Sequence, residues 1–136
     1  MGGRGGFRVL RMKTLATADE TGGAFELIED TRNEGEGPAP HSHRNSDEAF
    51  YVLAGSFKFV RGSDEILAKQ GDLVFIPRGT RHFYRAATSG SRVLILYVPA
   101  GGFDDFMREL DSLLAGGMTS AEAIAAIGGK YDSDPA

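Results

Sequence analysis

The sequence predicts an all-β domain, a sandwich or barrel of short antiparallel strands, with one or two short helices at its C-terminal end. Three observations lead there. From residue 7 to about residue 99 the chain runs in short segments rich in Val, Ile, Leu, Phe and Tyr, broken by Gly, Pro, Asn, Asp and Ser. After Gly101 the apolar residues change to helical spacing. Strands first and helices last is the order of a β domain wearing a helical cap, not of a βαβ unit.

The first six residues, four of them glycine, have little to pack and are expected to be flexible. Strands are expected over 7–12, 24–29, 48–54, 56–61, 65–68, 73–76, 82–86 and 92–98, forming a barrel over 7–100. Arg61-Gly62-Ser63-Asp64 reads as a hairpin turn, and Gly71-Asp72 and Pro77-Arg78-Gly79 supply further reversals, so the strands fold back antiparallel. Phe103, Phe106, Met107, Leu110, Leu113 and Leu114 then mark one face of an amphipathic helix, with Asp104, Asp105, Arg108, Glu109 and Asp111 on the other. Gly116-Gly117 ends it. Thr119-Ser120-Ala121-Glu122 is a capping box opening a second short helix to about Ile127, and a tail completes the helical cap over 101–136. The first helix is expected to cover the outside of a sheet rather than the barrel mouth.

A chain of 136 residues suits one domain. Hydrophobic residues at 41% and charged residues at 25% are the balance of a soluble globular protein with a real core. The net charge of -4 and the scatter of the fifteen Lys and Arg leave no basic footprint, which argues against nucleic acid and anionic membranes as partners. The longest apolar stretches are too short to span a bilayer and the start lacks the apolar core of a signal peptide, so the expected location is cytoplasmic. Cysteine is absent, so a bound metal must rest on nitrogen and oxygen donors.

All three histidines lie between positions 41 and 82. Residues two apart in an extended segment share a face, so His41 and His43 can present both imidazoles to one point. The break Arg44-Asn45-Ser46-Asp47 can turn the chain so that Glu48 comes back toward it, and His82, after the rigid 77–80 turn, can arrive from across the barrel. Three imidazoles and a carboxylate suit one divalent ion of Fe, Mn, Ni, Co or Zn. Glu48 is either a permanent ligand or, on leaving the ion, a general base. Phe50, Phe57, Phe59, Phe75, Tyr84 and Tyr97 lie on expected strands and either line a cavity for a flat small-molecule substrate or pack the core. Register from Glu48 and His82 makes Phe50 and Tyr84 the first choices as substrate contacts, followed by Phe59 and Phe75. Arg78, Arg81 and Arg85 are candidates for an acidic substrate group, with solvated charge as the plainer alternative.

The spacings Gly35, His41, His43, Glu48, Gly55 and Gly71, Pro77, Gly79, His82 resemble the two motifs of the cupin superfamily, with Ala86 where the second motif ends in Asn. That resemblance implies a cupin jelly-roll β-barrel with His41, His43, Glu48 and His82 as metal ligands. It also implies a homodimer, in which 7–12 could exchange or pair. The stretches 43–55 and 75–82, and the ending Pro99-Ala100-Gly101-Gly102-Phe103 before a helix, are similar to small bacterial quercetinase-like cupins. This implies a metal-dependent dioxygenase that opens a flavonol-like, enolic or aromatic ring. Related small cupins act as cyclases or isomerases in natural-product pathways, and others bind small molecules without catalysis.

Overall fold

The computed structural model describes residue 7 and residues 9–135, so the expected flexible segment 1–6 lies outside the described residues. Ten strands form two five-stranded antiparallel sheets. The first holds β1 (Met12–Ala16), β2 (Glu26–Arg32), β9 (Ser91–Val98), β4 (Asp47–Ala54) and β7 (Leu73–Ile76), in that order. The second holds β10 (Asp134–Pro135), β3 (His41–Ser42), β8 (His82–Ala86), β5 (Ser56–Arg61) and β6 (Asp64–Lys69). Sequence neighbours pair across sheets only in part, because β4 and β9 join in one while β5 and β8 join in the other. This is the jelly-roll arrangement.

Alternation places the core between the sheets. Phe50 and Val52 of β4, Phe57 and Phe59 of β5, and Val93 and Ile95 of β9 are essentially inaccessible, as side chains on one face of each strand must be when two sheets stack. The Gly62-Ser63 hairpin forms as expected, with Gly62 at a φ of 60° and Arg61 opposite Asp64.

The 7–12 strand is not found. Paired structure starts at Met12, because the Val9 and Leu10 amides donate to Asp111 at 2.7 Å instead of joining a ladder. A four-residue helix, α1 (Ala18–Thr21), follows β1, opened by a Thr17–Glu20 capping box.

The two expected helices are α2 (Phe103–Ala115) and α3 (Ser120–Ile127), the latter opened by the Thr119–Glu122 capping box. Gly102 offers α2 no side-chain cap. Glu26 from β2 acts in its place, accepting the amides of Gly101, Phe103 and Asp104, each at 2.9 Å. A carboxylate there satisfies orphan donors and suits the positive end of the helix. It also fixes where α2 starts relative to the barrel. A 3-10 turn, Gly128–Tyr131, leads into β10. Among the described residues no helix is long and apolar enough to cross a membrane.

Candidate metal centre

His41, His43, Glu48 and His82 converge, and one ligand atom from each lies within 4.8 Å of the others. All four are buried. Strand geometry delivers them: His41 opposes His82 in the β3–β8 pair, and Glu48 is on the inward register of β4 with Phe50 and Val52. His43 follows β3 directly, where its carbonyl accepts the amide of Gly79 at 2.6 Å. Gly79 has a φ of 82°, which favours glycine and explains the Pro-x-Gly turn before His82.

Each ring is oriented by a main-chain carbonyl. The Nδ1 atoms of His41, His43 and His82 lie 2.7, 2.8 and 2.8 Å from the carbonyls of Ala39, Asp132 and Thr80. A carbonyl can only accept, so Nδ1 carries the proton and Nε2 turns inward as the donor atom. Nε2 of His43 and of His82 sit 3.2 and 2.8 Å from Oε1 of Glu48. These are contacts without hydrogen-bond geometry, so three buried polar atoms converge with no hydrogen-bond partner. Such atoms are costly unless something binds them, and nitrogen and carboxylate donors at this separation fit one divalent ion.

The electrostatics prepare His41 and Glu48 for ligation and leave His43 with a proton to lose. Burial, helped by the His82 and His43 rings, lowers the pKa of His41 to about 3 and keeps it neutral. Burial opposes ionisation of Glu48, but the His43 and His82 rings outweigh it and hold the carboxyl well below its usual range. Burial also works against charge on His43, yet the Glu48 carboxylate beside it raises its pKa overall.

A small, largely enclosed chamber of about 30 Å³ adjoins the cluster, room for roughly two or three waters by the usual measure of about 10–15 Å³ each. His41, His43, Glu48, Arg32, Tyr84 and Tyr97 line it from the barrel, and Phe106, Met107 and Leu110 of α2 and Ile124 of α3 close it from above. The helices therefore cap the barrel mouth rather than the outside of a sheet, a correction that follows from the Glu26 anchor. Phe103 stacks on Tyr97 at 3.7 Å between ring centroids.

Of the expected substrate contacts, Tyr84 lines the chamber. Phe50 and Phe59 are buried against it, 5.3 and 5.7 Å away by ring centroid, and belong to the core beneath. Phe75 does not reach the site. Ile76 is the residue opposite Glu48, so Phe75 falls on the outward register opposite Ala49 and is 48% exposed. Arg78 is held by Asp47 at the surface, and Arg85 donates to the carbonyls of Pro38 and Tyr84. Two features carried no sequence signal: the buried Asp30–Arg32–Tyr84 network, and Asp132, whose carboxylate accepts the amides of Arg44 and Asn45 at 2.6 and 2.8 Å.

Residues 30–99 match the family model described as a cupin domain. An uncharacterized protein of Aquifex aeolicus is 35% identical over 69 residues, covering 51% of this chain and 57% of its own length. Quercetin 2,3-dioxygenase of Bacillus subtilis is 29% identical over 98 residues, covering 72% of this chain and 29% of the relative. The chain thus spans less than two thirds of either. Among solved structures, KdgF from Halomonas sp. superposes with a TM-score of 0.61 at 23% identity, over 66% of this chain and 78% of that one.

Proposed function

The chain belongs to the cupin family, and from that premise we propose that it is a metal-dependent enzyme, a dioxygenase acting on a small enolic or aromatic molecule. The observation that carries this is the set of buried, inward-facing donor atoms of His43, Glu48 and His82 that no protein group satisfies, beside a chamber walled against water. His41, His43, Glu48 and His82 would hold one divalent ion, which supplies Lewis acidity at a substrate oxygen and, when redox-active, electrons for dioxygen chemistry. The likeness to quercetin 2,3-dioxygenase supports the oxygenase class.

The chain's own groups have defined tasks in this reading. The carbonyls of Ala39, Asp132 and Thr80 fix the three rings, so little reorganisation accompanies binding. Burial, with the Glu48 carboxylate nearby, raises the Tyr97 hydroxyl well above the usual phenol range and keeps it a hydrogen-bond donor at the chamber wall. Glu48, held ionised, is the acceptor available for a substrate proton. Phe106, Met107 and Leu110 exclude water. A flavonol-sized ligand does not fit the closed chamber, so α2 and α3 must lift to admit one.

A non-redox cyclase or isomerase is the second reading, favoured by a carboxylate acceptor and a protonated phenol facing one chamber, a pair that needs no oxygen. Elemental analysis of protein purified without added metal, followed by oxygen uptake with quercetin, tests the first. About one equivalent of a redox-active metal and oxygen-dependent turnover are expected. Full turnover under anaerobic conditions transfers the conclusion to the second reading, and absence of metal even after reconstitution removes both.

A further inference from the structure

Apart from the four converging residues, the chamber wall carries one ionised side chain, Arg32. It ends β2, and its Nε donates to Oδ2 of Asp30 at 2.8 Å. The Tyr84 hydroxyl donates to the same oxygen at 2.6 Å. Asp30 has no exposed side-chain surface and Arg32 only 13%. The guanidinium is clamped along one edge by its Nε bond to Asp30, and it lies over the Tyr84 ring, 5.9 Å from the ring centroid. Arg32 thus lines the chamber beside a buried counter-charge that its Nε alone contacts within ion-pair distance.

A purely structural ion pair would be expected to use that fork on its own carboxylate, since two parallel bonds are the favoured Arg–carboxylate geometry. Here Arg32 Nε and the Tyr84 hydroxyl both use Oδ2 of Asp30, and Oδ1 stays buried without a hydrogen-bond partner, so the pair is not bidentate. The charge count points the same way. Arg32 and Asp30 cancel, Glu48 removes one charge from a divalent ion, and the neutral imidazoles add none. The loaded chamber is left with one net positive charge in a place water barely enters, and a monoanion cancels it.

We propose that Arg32 is the anion seat of the substrate site, so that the ligand is a small carboxylic acid with a hydroxyl or enol oxygen at its other end. With α2 and α3 lifted to make room, the carboxylate lies on the guanidinium of Arg32 and the oxygen at the His41–His43–Glu48–His82 cluster. This rests on the metal reading above and narrows its substrate class to anionic molecules. Arg32 also borders a surface groove lined by Arg85, Arg11 and Glu36, where Arg11 is paired with Glu36 and Arg85 adds a further cationic side chain on the way to the chamber.

The test is a calorimetric titration of the zinc-loaded protein with glycolate, hydroxypropionate and hydroxybutyrate bearing the hydroxyl at the chain end, each against its primary amide. At least one acid is expected to bind tenfold or more tightly than its amide. The ratio should fall to near one in Arg32→Met and survive in part in Arg32→Lys, while zinc content stays at the wild-type level. Because Arg32→Met strands Asp30, the paired variant Asp30→Asn/Arg32→Met removes both charges and should lose the preference equally. A preference that persists in the paired variant, or no acid that outbinds its amide, overturns the proposal. If the wild-type protein takes up no zinc, the metal reading fails separately. The same titration on metal-free protein then decides Arg32 alone, by whether an acid preference exists and disappears in the variants.

Discussion

The main-chain carbonyl of Asp132 accepts a hydrogen bond from Nδ1 of His43 at 2.8 Å, across 89 positions of sequence. The Asp132 carboxylate holds the amides of the two residues after His43, and β10 pairs with β3 immediately beyond. One end of the chain thus braces the segment that presents a central donor atom.

Gly128 allows that brace to form. A Cβ there would meet the Ser133 carbonyl oxygen at 1.8 Å, whereas one at Gly129 would meet nothing within 4 Å. Gly128→Ala should destabilise the protein by about 1–3 kcal/mol and weaken zinc binding by roughly 10–100-fold. Gly129→Ala should do neither. Thermal melts and zinc titrations of the two variants make the comparison, and equal behaviour would refute the brace.

Zinc affinity should depend on pH through His43. Its pKa is raised by the neighbouring Glu48 carboxylate, so the metal-free protein carries a proton there that a metal must displace. Below that raised value affinity should rise with pH, and above it this dependence should flatten. His41, held neutral down to a pKa of about 3, competes for no proton near neutrality. Competition titrations between pH 6 and 9, with proton release read in buffers of different ionisation enthalpy, check the sign.

In the metal-free protein His41 also couples stability to acid. Its folded pKa of about 3 lies below the unfolded value of about 6.5, so between these the unfolded chain binds the proton and the folded one does not. This contribution favours the fold above pH 6.5 and declines as pH falls through that window. His43, raised when folded, acts in the opposite sense at the top of the range. Denaturant midpoints of wild type and His41→Asn against pH should separate the two, with the variant less sensitive below pH 6.

Tyr84 and Phe75 should respond oppositely to truncation. Tyr84→Phe removes a donor from the buried Asp30 carboxylate and should cost about 1–3 kcal/mol. Phe75→Ala changes an exposed outer face and should stay within about 0.5 kcal/mol with ligand binding unchanged. Urea melts and ligand titrations test both.

The cap should be separable from the barrel. Phe106 is 2% exposed and closes the chamber; Phe106→Ala should cost about 3–5 kcal/mol while leaving zinc content unchanged. Loss of zinc from a folded Phe106→Ala protein would mean that α2 supports the donor cluster rather than the space beside it.

Much of this was legible because alternation and turn chemistry are local. The limits of β5, β7 and β8 agree with the expected ones residue for residue, and Glu48 and His82 share inward registers with Phe50 and Tyr84. Phe75 failed the same logic because an aromatic residue on a strand does not declare its face until the strand has a partner, and β7 is an edge strand set by Ile76 opposite Glu48. The 7–12 segment is apolar enough for a strand, but its amides are taken by Asp111 from a helix a hundred residues away. Asp30 and Arg32 fell just past the expected 24–29 strand, whereas β2 extends through Arg32. Only the fold reveals that both face inward, and nothing local marks Glu26 as the cap of a helix far along the chain.

The pairing of β10 with β3 also bears on the order of biosynthesis. A ribosome releases His41, His43, Glu48 and His82 well before residues 128–135, so the nascent barrel can display its ligand strands while the His43 ring still lacks its orienting carbonyl. Metal capture in its final geometry then waits until residues 128–135 are in place. A chain stalled before Asp132 would carry all four ligands without the carbonyl that orients the His43 ring.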